Sequence, residues 1–94
     1  SKICLSSLEL LGDFWSLRLI DALSEGELRY CELQRRAGNV NPVTLTTKLK
    51  KLQNNKIIAR NEQSRGEVVY SLTPLGKKAL PILVAVNEFS AAAR

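Results

Sequence analysis

The chain has 94 residues, a net charge of +5, 45% hydrophobic and 24% charged residues, two Cys, no His and no Met. That length suits one small domain over 1–94, which buries only roughly 60–65% of its unfolded surface and so gains from oligomerisation. No apolar run reaches the roughly 18 residues a membrane-spanning helix needs, and the opening SKICLSS has one Lys and no long apolar core, so neither a membrane protein nor a secretory signal is expected. Without His, paired carboxylates, a Gly-rich phosphate loop or a Cys/His cluster, nothing gathers into an active site, a metal site or a cofactor site, so an enzyme is not expected. Two cysteines 27 positions apart make no disulfide framework and fit a reducing, cytoplasmic setting.

Leu5, Leu8 and Leu11, with Leu10 beside them, recur at helical spacing and predict a first helix over residues 3–11. Gly12 can end it and Asp13 can cap the next, residues 14–24, whose apolar positions are Phe14, Leu17, Ile20, Ala22 and Leu23. Ser24-Glu25-Gly26 breaks that helix, and residues 28–30 form a small strand. A brief helix over 31–37 turns Leu33 and Ala37 inward and closes at Gly38-Asn39. Asn41 as N-cap and Pro42 at the first helical position restart the chain for a helix to about Asn54, with Leu45, Leu49 and Leu52 as its buried stripe. Residues 57–63 and 67–72 make a hairpin whose turn, Ser64-Arg65-Gly66, supplies the glycine a tight turn wants. Thr73-Pro74 repeats the cap and proline for a last helix carrying Leu75, Ala79, Ile82, Leu83, Val86 and Phe89, with Pro81 inside it as a bend and an Ala-rich end expected to fray.

This order is that of a winged helix-turn-helix, an α+β, mostly helical fold used mainly to bind double-stranded DNA. Charge follows the same map. Between Arg29 and Gly66 stand nine basic residues (Arg29, Arg35, Arg36, Lys48, Lys50, Lys51, Lys56, Arg60, Arg65) against Glu32 and Glu62, a local +7 that leaves the rest of the chain at −2. With the leucine stripe inward, about 100° per residue places Val43, Thr44, Thr47, Lys50, Lys51 and Asn54 on the opposite face of the second motif helix, with Thr46 and Lys48 on its flanks. Threonine can bond a base edge or touch a thymine methyl, and lysine can reach guanine or phosphate. Thr44 and Thr47, early in the helix, are the candidates for base contacts. Arg35 and Arg36 suit phosphates, and Arg65 at the hairpin tip suits a narrow minor groove. The competing reading is a winged-helix protein-interaction module, for which a neutral or acidic face would be expected instead.

The sequence resembles the HxlR-type winged-helix transcriptional regulators, relatives of the MarR group, over nearly its whole length. The resemblance rests on Gly12-Asp13-x-Trp15-Ser16-Leu17, on Glu32 to Arg36, on Pro42, Thr44, Leu45, Thr46, Leu49, Lys50 and Leu52, and on Tyr70-Ser71-Leu72-Thr73-Pro74-Leu75-Gly76. It implies a homodimer paired through its first and last helices, with two recognition helices about 34–36 Å apart on a pseudo-palindromic operator. The chain departs from the family at Asn54-Asn55-Lys56, where a turn glycine is usual and Asn supplies left-handed tolerance. Its wing is short, with a single Arg.

Some members of the family sense oxidants or electrophiles through an N-terminal cysteine, and Cys4 stands at the matching place, although Leu5-Ser6-Ser7 lacks the usual proline. Cys31 falls at the N-cap of the first motif helix, where the helix dipole favours thiolate while Glu27 and Glu32 oppose it, and core filler is the plainer role. With no separate sensory domain, a small-molecule or oxidant signal has only the dimer interface or a thiol to act on.

Overall fold

A computed structural model describes residues 2–94. Its elements run α1 (Leu5–Leu11), α2 (Phe14–Ala22), β1 (Leu28–Arg29), α3 (Tyr30–Arg36), α4 (Pro42–Asn54), β2 (Ile58–Glu62), a one-turn 3-10 segment (Ser64–Gly66), β3 (Val68–Leu72), α5 (Pro74–Lys77) and α6 (Leu80–Ala92). The strands form an antiparallel sheet in the order β1-β3-β2, with Leu28 opposite Tyr70 and the β2/β3 hairpin in register from Ile58–Leu72 to Glu62–Val68. This is the expected α+β winged helix-turn-helix.

One core holds the motif. Leu19, Ile20 and Leu23 of α2 and its end pack with Leu33 and Ala37 of the α3 region, Leu45, Leu49 and Leu52 of α4, and Ile57, Ile58, Tyr70 and Leu72 of the hairpin. The leucines recur at i, i+4 and i+7 because only that spacing keeps one helix face on the core. Ser16 is also fully buried, and its hydroxyl has no hydrogen-bond partner among the described residues.

The turns that orient α3 and α4 are set by capping. At the end of α3, Asn39 N–H reaches Gln34 O at 2.9 Å and Gly38 N–H reaches Arg35 O at 3.0 Å, with Gly38 left-handed at φ 101°. Asn41 then caps α4 by accepting from Val43 N–H at 2.8 Å. The other end of α4 closes in the same way: Ile57 N–H bonds Leu52 O at 2.9 Å and Lys56 N–H bonds Gln53 O at 3.0 Å. This is the Schellman pattern, with Leu52 and Ile57 as its buried apolar pair.

Five expectations change. The left-handed residue after α4 is Lys56 (φ 63°), whereas Asn55 lies at φ −94°. A Cβ in that region costs about 1 kcal/mol relative to glycine, so Lys56→Gly is expected to raise stability by about that amount in urea unfolding. Cys31 is the second residue of α3 and not its N-cap, which is Arg29, and it is exposed and no part of the core. Phe14, placed on an inward stripe, is exposed because α2 buries its Ser16, Leu19 and Ile20 face. The last helix is two helices: α5 ends at Lys77, and Pro81 sits in the first turn of α6, where its missing N–H leaves no bond unmade. The Ala-rich end is helical through Ala92.

α1 and α6 contain no buried residue. Ile3, Leu5, Leu8, Ile82, Val84, Val86 and Phe89 all stand exposed on or beside them. The molecule measures 48 × 28 × 24 Å, and its radius of gyration, 13.9 Å, exceeds the roughly 12 Å of a compact chain this long.

Candidate nucleic-acid interface

The face of α4 away from the leucine stripe carries Val43, Thr46, Thr47, Lys50 and Asn54, all exposed, and no acidic residue. Thr47 Oγ1 donates to Val43 O at 2.9 Å, so its proton is held by the helix and its oxygen faces out as an acceptor beside its methyl group. That combination suits an amino group or a thymine methyl on a base edge. Thr44 and Lys48 lie on the opposite flank, half-buried.

Lys48 and Lys51 point to the body of the domain. Asp13, the N-cap of α2, accepts from Trp15 N–H at 2.9 Å through one carboxylate oxygen. Its other oxygen pairs with Lys48 Nζ and lies 3.8 Å from Lys51 Nζ. Burial pushes the Asp13 carboxyl up, but the Lys48 ammonium, the Trp15 N–H and the field of both lysines outweigh that, holding it below its ordinary value of 3.8. Of the lysines placed on this helix by sequence, Lys50 alone stands fully outward without a salt-bridge partner among the described residues.

Arg35 and Arg36 are exposed at the C-terminal end of α3. Arg65 is exposed at the hairpin tip in a left-handed conformation (φ 69°) next to Gly66 (φ 73°), and the tip is closed by Gln63 N–H to Glu67 O at 2.6 Å. Sequence periodicity did not single out a groove between α4 and the sheet, lined by Tyr30, Thr46, Lys50, Gln53, Arg60 and Tyr70. Gln53 lies in α4 and Arg60 in β2, elements of different periodicity, and the return of β2 alongside α4 brings them together. Arg60 is partly engaged by Glu62 at 3.2 Å, and Arg29 by Glu67 at 2.7 Å. On the far side of the motif, Arg18 Nε donates to Ala37 O at 3.1 Å and so ties α2 to the turn between α3 and α4.

The two cysteines differ in setting. Cys4 is exposed at the N-cap of α1, with Sγ 3.3 Å from Ser6 Oγ. Hydrogen bonds from the Ser6 and Ser7 side chains, with help from their backbone N–H groups, lower the thiol from 9.0 to about 7. A depressed thiol is more thiolate at neutral pH, so alkylation of Cys4 is expected to reach half its maximal rate near pH 7. Ser6→Ala should move that midpoint up toward 9.0, and an unmoved midpoint would show that the hydroxyl does not act on the sulfur. No group of His, Cys, Asp and Glu among the described residues could hold a metal, and no helix among them is long and apolar enough to cross a membrane.

A capped helix pair in this geometry, followed by a hairpin wing and bearing an outward face without acids, is the architecture of the helix-turn-helix DNA-binding proteins. Within that class the chain belongs to the HxlR-like helix-turn-helix family, whose model matches residues 10–93. It is 35% identical over 86 residues to an uncharacterized HTH-type transcriptional regulator of Halalkalibacterium halodurans, covering 88% of this chain and 76% of that one. Another such regulator, from Methanothermobacter thermautotrophicus, is 32% identical over 81 residues, which is 84% of this chain and 62% of that protein. Among solved structures, a MarR-family regulator from Porphyromonas gingivalis W83 superposes with a TM-score of 0.86 at 29% identity, covering 97% of each chain. The redox regulator HypR in its oxidized form superposes at 0.83 with 27% identity over 96% of this chain and 95% of that one. The protein is thus a helix-turn-helix transcriptional regulator and not an enzyme.

Proposed function

We propose that the protein binds a pseudo-palindromic operator as a homodimer in the cytoplasm, placing α4 in the major groove and the wing tip beside the adjacent minor groove. The observation that carries this reading is the outward face of α4, where Thr46, Thr47, Lys50 and Asn54 stand exposed with no carboxylate among them. Thr47, Thr46 and Val43 face the bases, with Thr44 at their edge. Lys50, Arg35, Arg36 and Asn54 serve phosphates or the groove wall, and Arg65 reaches the minor groove. Lys48 and Lys51 are turned to Asp13 on the domain body.

The dimer is supported by α1 and α6, two helices with nothing buried and a row of exposed apolar side chains. Apolar area of that extent is stable in water when a second copy covers it. A thiol signal at Cys4 fits the same arrangement, since the cysteine stands at the start of α1 and its thiol pKa is lowered by Ser6 and Ser7. Cys31, exposed on α3, is the second thiol in reach of an oxidant.

The test is fluorescence anisotropy of labelled duplex against salt, with sedimentation equilibrium of the free protein. Binding that weakens steeply with salt and a two-chain mass support the reading. A monomer with no measurable affinity for any duplex would contradict it and point to a protein partner.

A further inference from the structure

The acids that touch the basic motif fall into two kinds. Glu67 and Glu62 pair with Arg29 and Arg60 at the surface, with carboxylate side chains 45% and 65% exposed. Such pairs are worth little and yield readily to a phosphate. Asp13 is different. Its side chain is 16% exposed, one oxygen is fixed by the Trp15 N–H, and the other faces two lysines of the recognition helix. Lys48 and Lys51 are correspondingly only 25% and 36% exposed. The carboxylate comes from the α1–α2 junction, so it is held by the body of the domain and not by α4 itself.

We propose that Asp13 limits the phosphate-driven part of DNA binding by holding Lys48 and Lys51 on the domain body, out of reach of phosphates. This rests on the proposed operator-binding function. Non-specific affinity is almost wholly phosphate charge, whereas base contacts carry the sequence discrimination. Every lysine withheld from the backbone lowers affinity for all duplexes and leaves the base-reading face of α4 untouched. Asp13 therefore lowers affinity for operator and random DNA alike and reduces the salt dependence of both, while the ratio between them stays set by the base contacts.

Asp13→Asn tests this, because Asn is as good an N-cap as Asp and keeps the acceptor for Trp15 N–H while removing the charge. Asp13→Ser, also a good N-cap, serves as a second variant should the first fold poorly. The expected result is several-fold tighter binding to random duplex and to operator alike, with the operator-to-random ratio unchanged. The slope of log affinity against log salt should steepen by about 0.9 for each lysine released. In Asp13→Asn/Lys48→Gln the added slope should fall by about half, since one of the two released cations is gone. A folded Asp13 variant with wild-type slope and wild-type affinity for random duplex overturns the inference, as does an added slope that survives loss of both lysines. Wild-type protein that binds no duplex overturns the proposed function itself, whereas wild-type binding with an unchanged variant slope overturns this inference alone.

Discussion

Gly76→Ala is expected to destabilise the domain by about 3 kcal/mol, the upper part of the usual range for overpacking. A Cβ at Gly76 would run into the carbonyl oxygen of Ile57, and the next atoms it meets are Ile57 C and Cγ2 at 3.1 and 3.3 Å. Neither backbone can withdraw easily. Gly76 N–H is bonded to Thr73 Oγ1 at 2.9 Å. Ile57 O in turn accepts from Thr73 Oγ1 at 3.0 Å and from Thr73 N–H at 3.1 Å. The same residue pair joins the end of the recognition helix to the start of α5, so strain there reaches the Schellman turn that fixes α4. For a domain of this size, about 3 kcal/mol corresponds to a fall in Tm on the order of 15 °C. Thermal unfolding within a degree or two of wild type would show that the close approach is not tight in solution.

The second large effect concerns binding. Lys50→Glu is expected to lower affinity for the operator by roughly 100-fold or more at physiological salt, because it sets a like charge against phosphate at the centre of the proposed interface. Lys50→Ala should cost about tenfold and reduce the salt slope by about 0.9, the signature of one lost phosphate contact. Both variants should fold, since Lys50 is exposed and makes no hydrogen bond or ion pair among the described residues. Lys77→Glu, on α5 and off this face, gives the control for net charge alone. Equal losses for Lys50→Glu and Lys77→Glu would mean that the domain attracts DNA only through its overall charge. Anisotropy titrations at three or more salt concentrations separate these outcomes.

Much of this molecule could be read from residue order because its elements are marked locally. Asn41-Pro42, Thr73-Pro74 and Gly12-Asp13 each start a helix where they stand, and the Leu45–Leu49–Leu52 stripe is the buried face of α4. The errors have physical causes. By sequence Pro81 either bends a helix or frees one carbonyl, yet the chain uses the proline's missing N–H by beginning α6 there. Lys56 takes a left-handed turn position against its own preference because the Leu52–Ile57 closure and the Thr73 Oγ1 bond to Lys56 O at 2.6 Å require it. No propensity marks such a residue. The division of the basic residues was also hidden. Periodicity places Lys48 and Lys51 near the outward face, but only the fold shows that Asp13, 35 positions before Lys48, holds both. Arg60 and Gln53 entered the picture for the same reason, through the pairing of β2 with β3 beside α4.

Selection from a pool of random duplexes at roughly physiological salt, followed by sequencing of the bound fraction, shows whether two copies of α4 bind one symmetric sequence. A two-fold-symmetric site with half-sites centred about one helical turn apart, roughly 10 base pairs, is the expected result. Recovery of sequences with no preferred base at any position would rule out the dimeric operator reading.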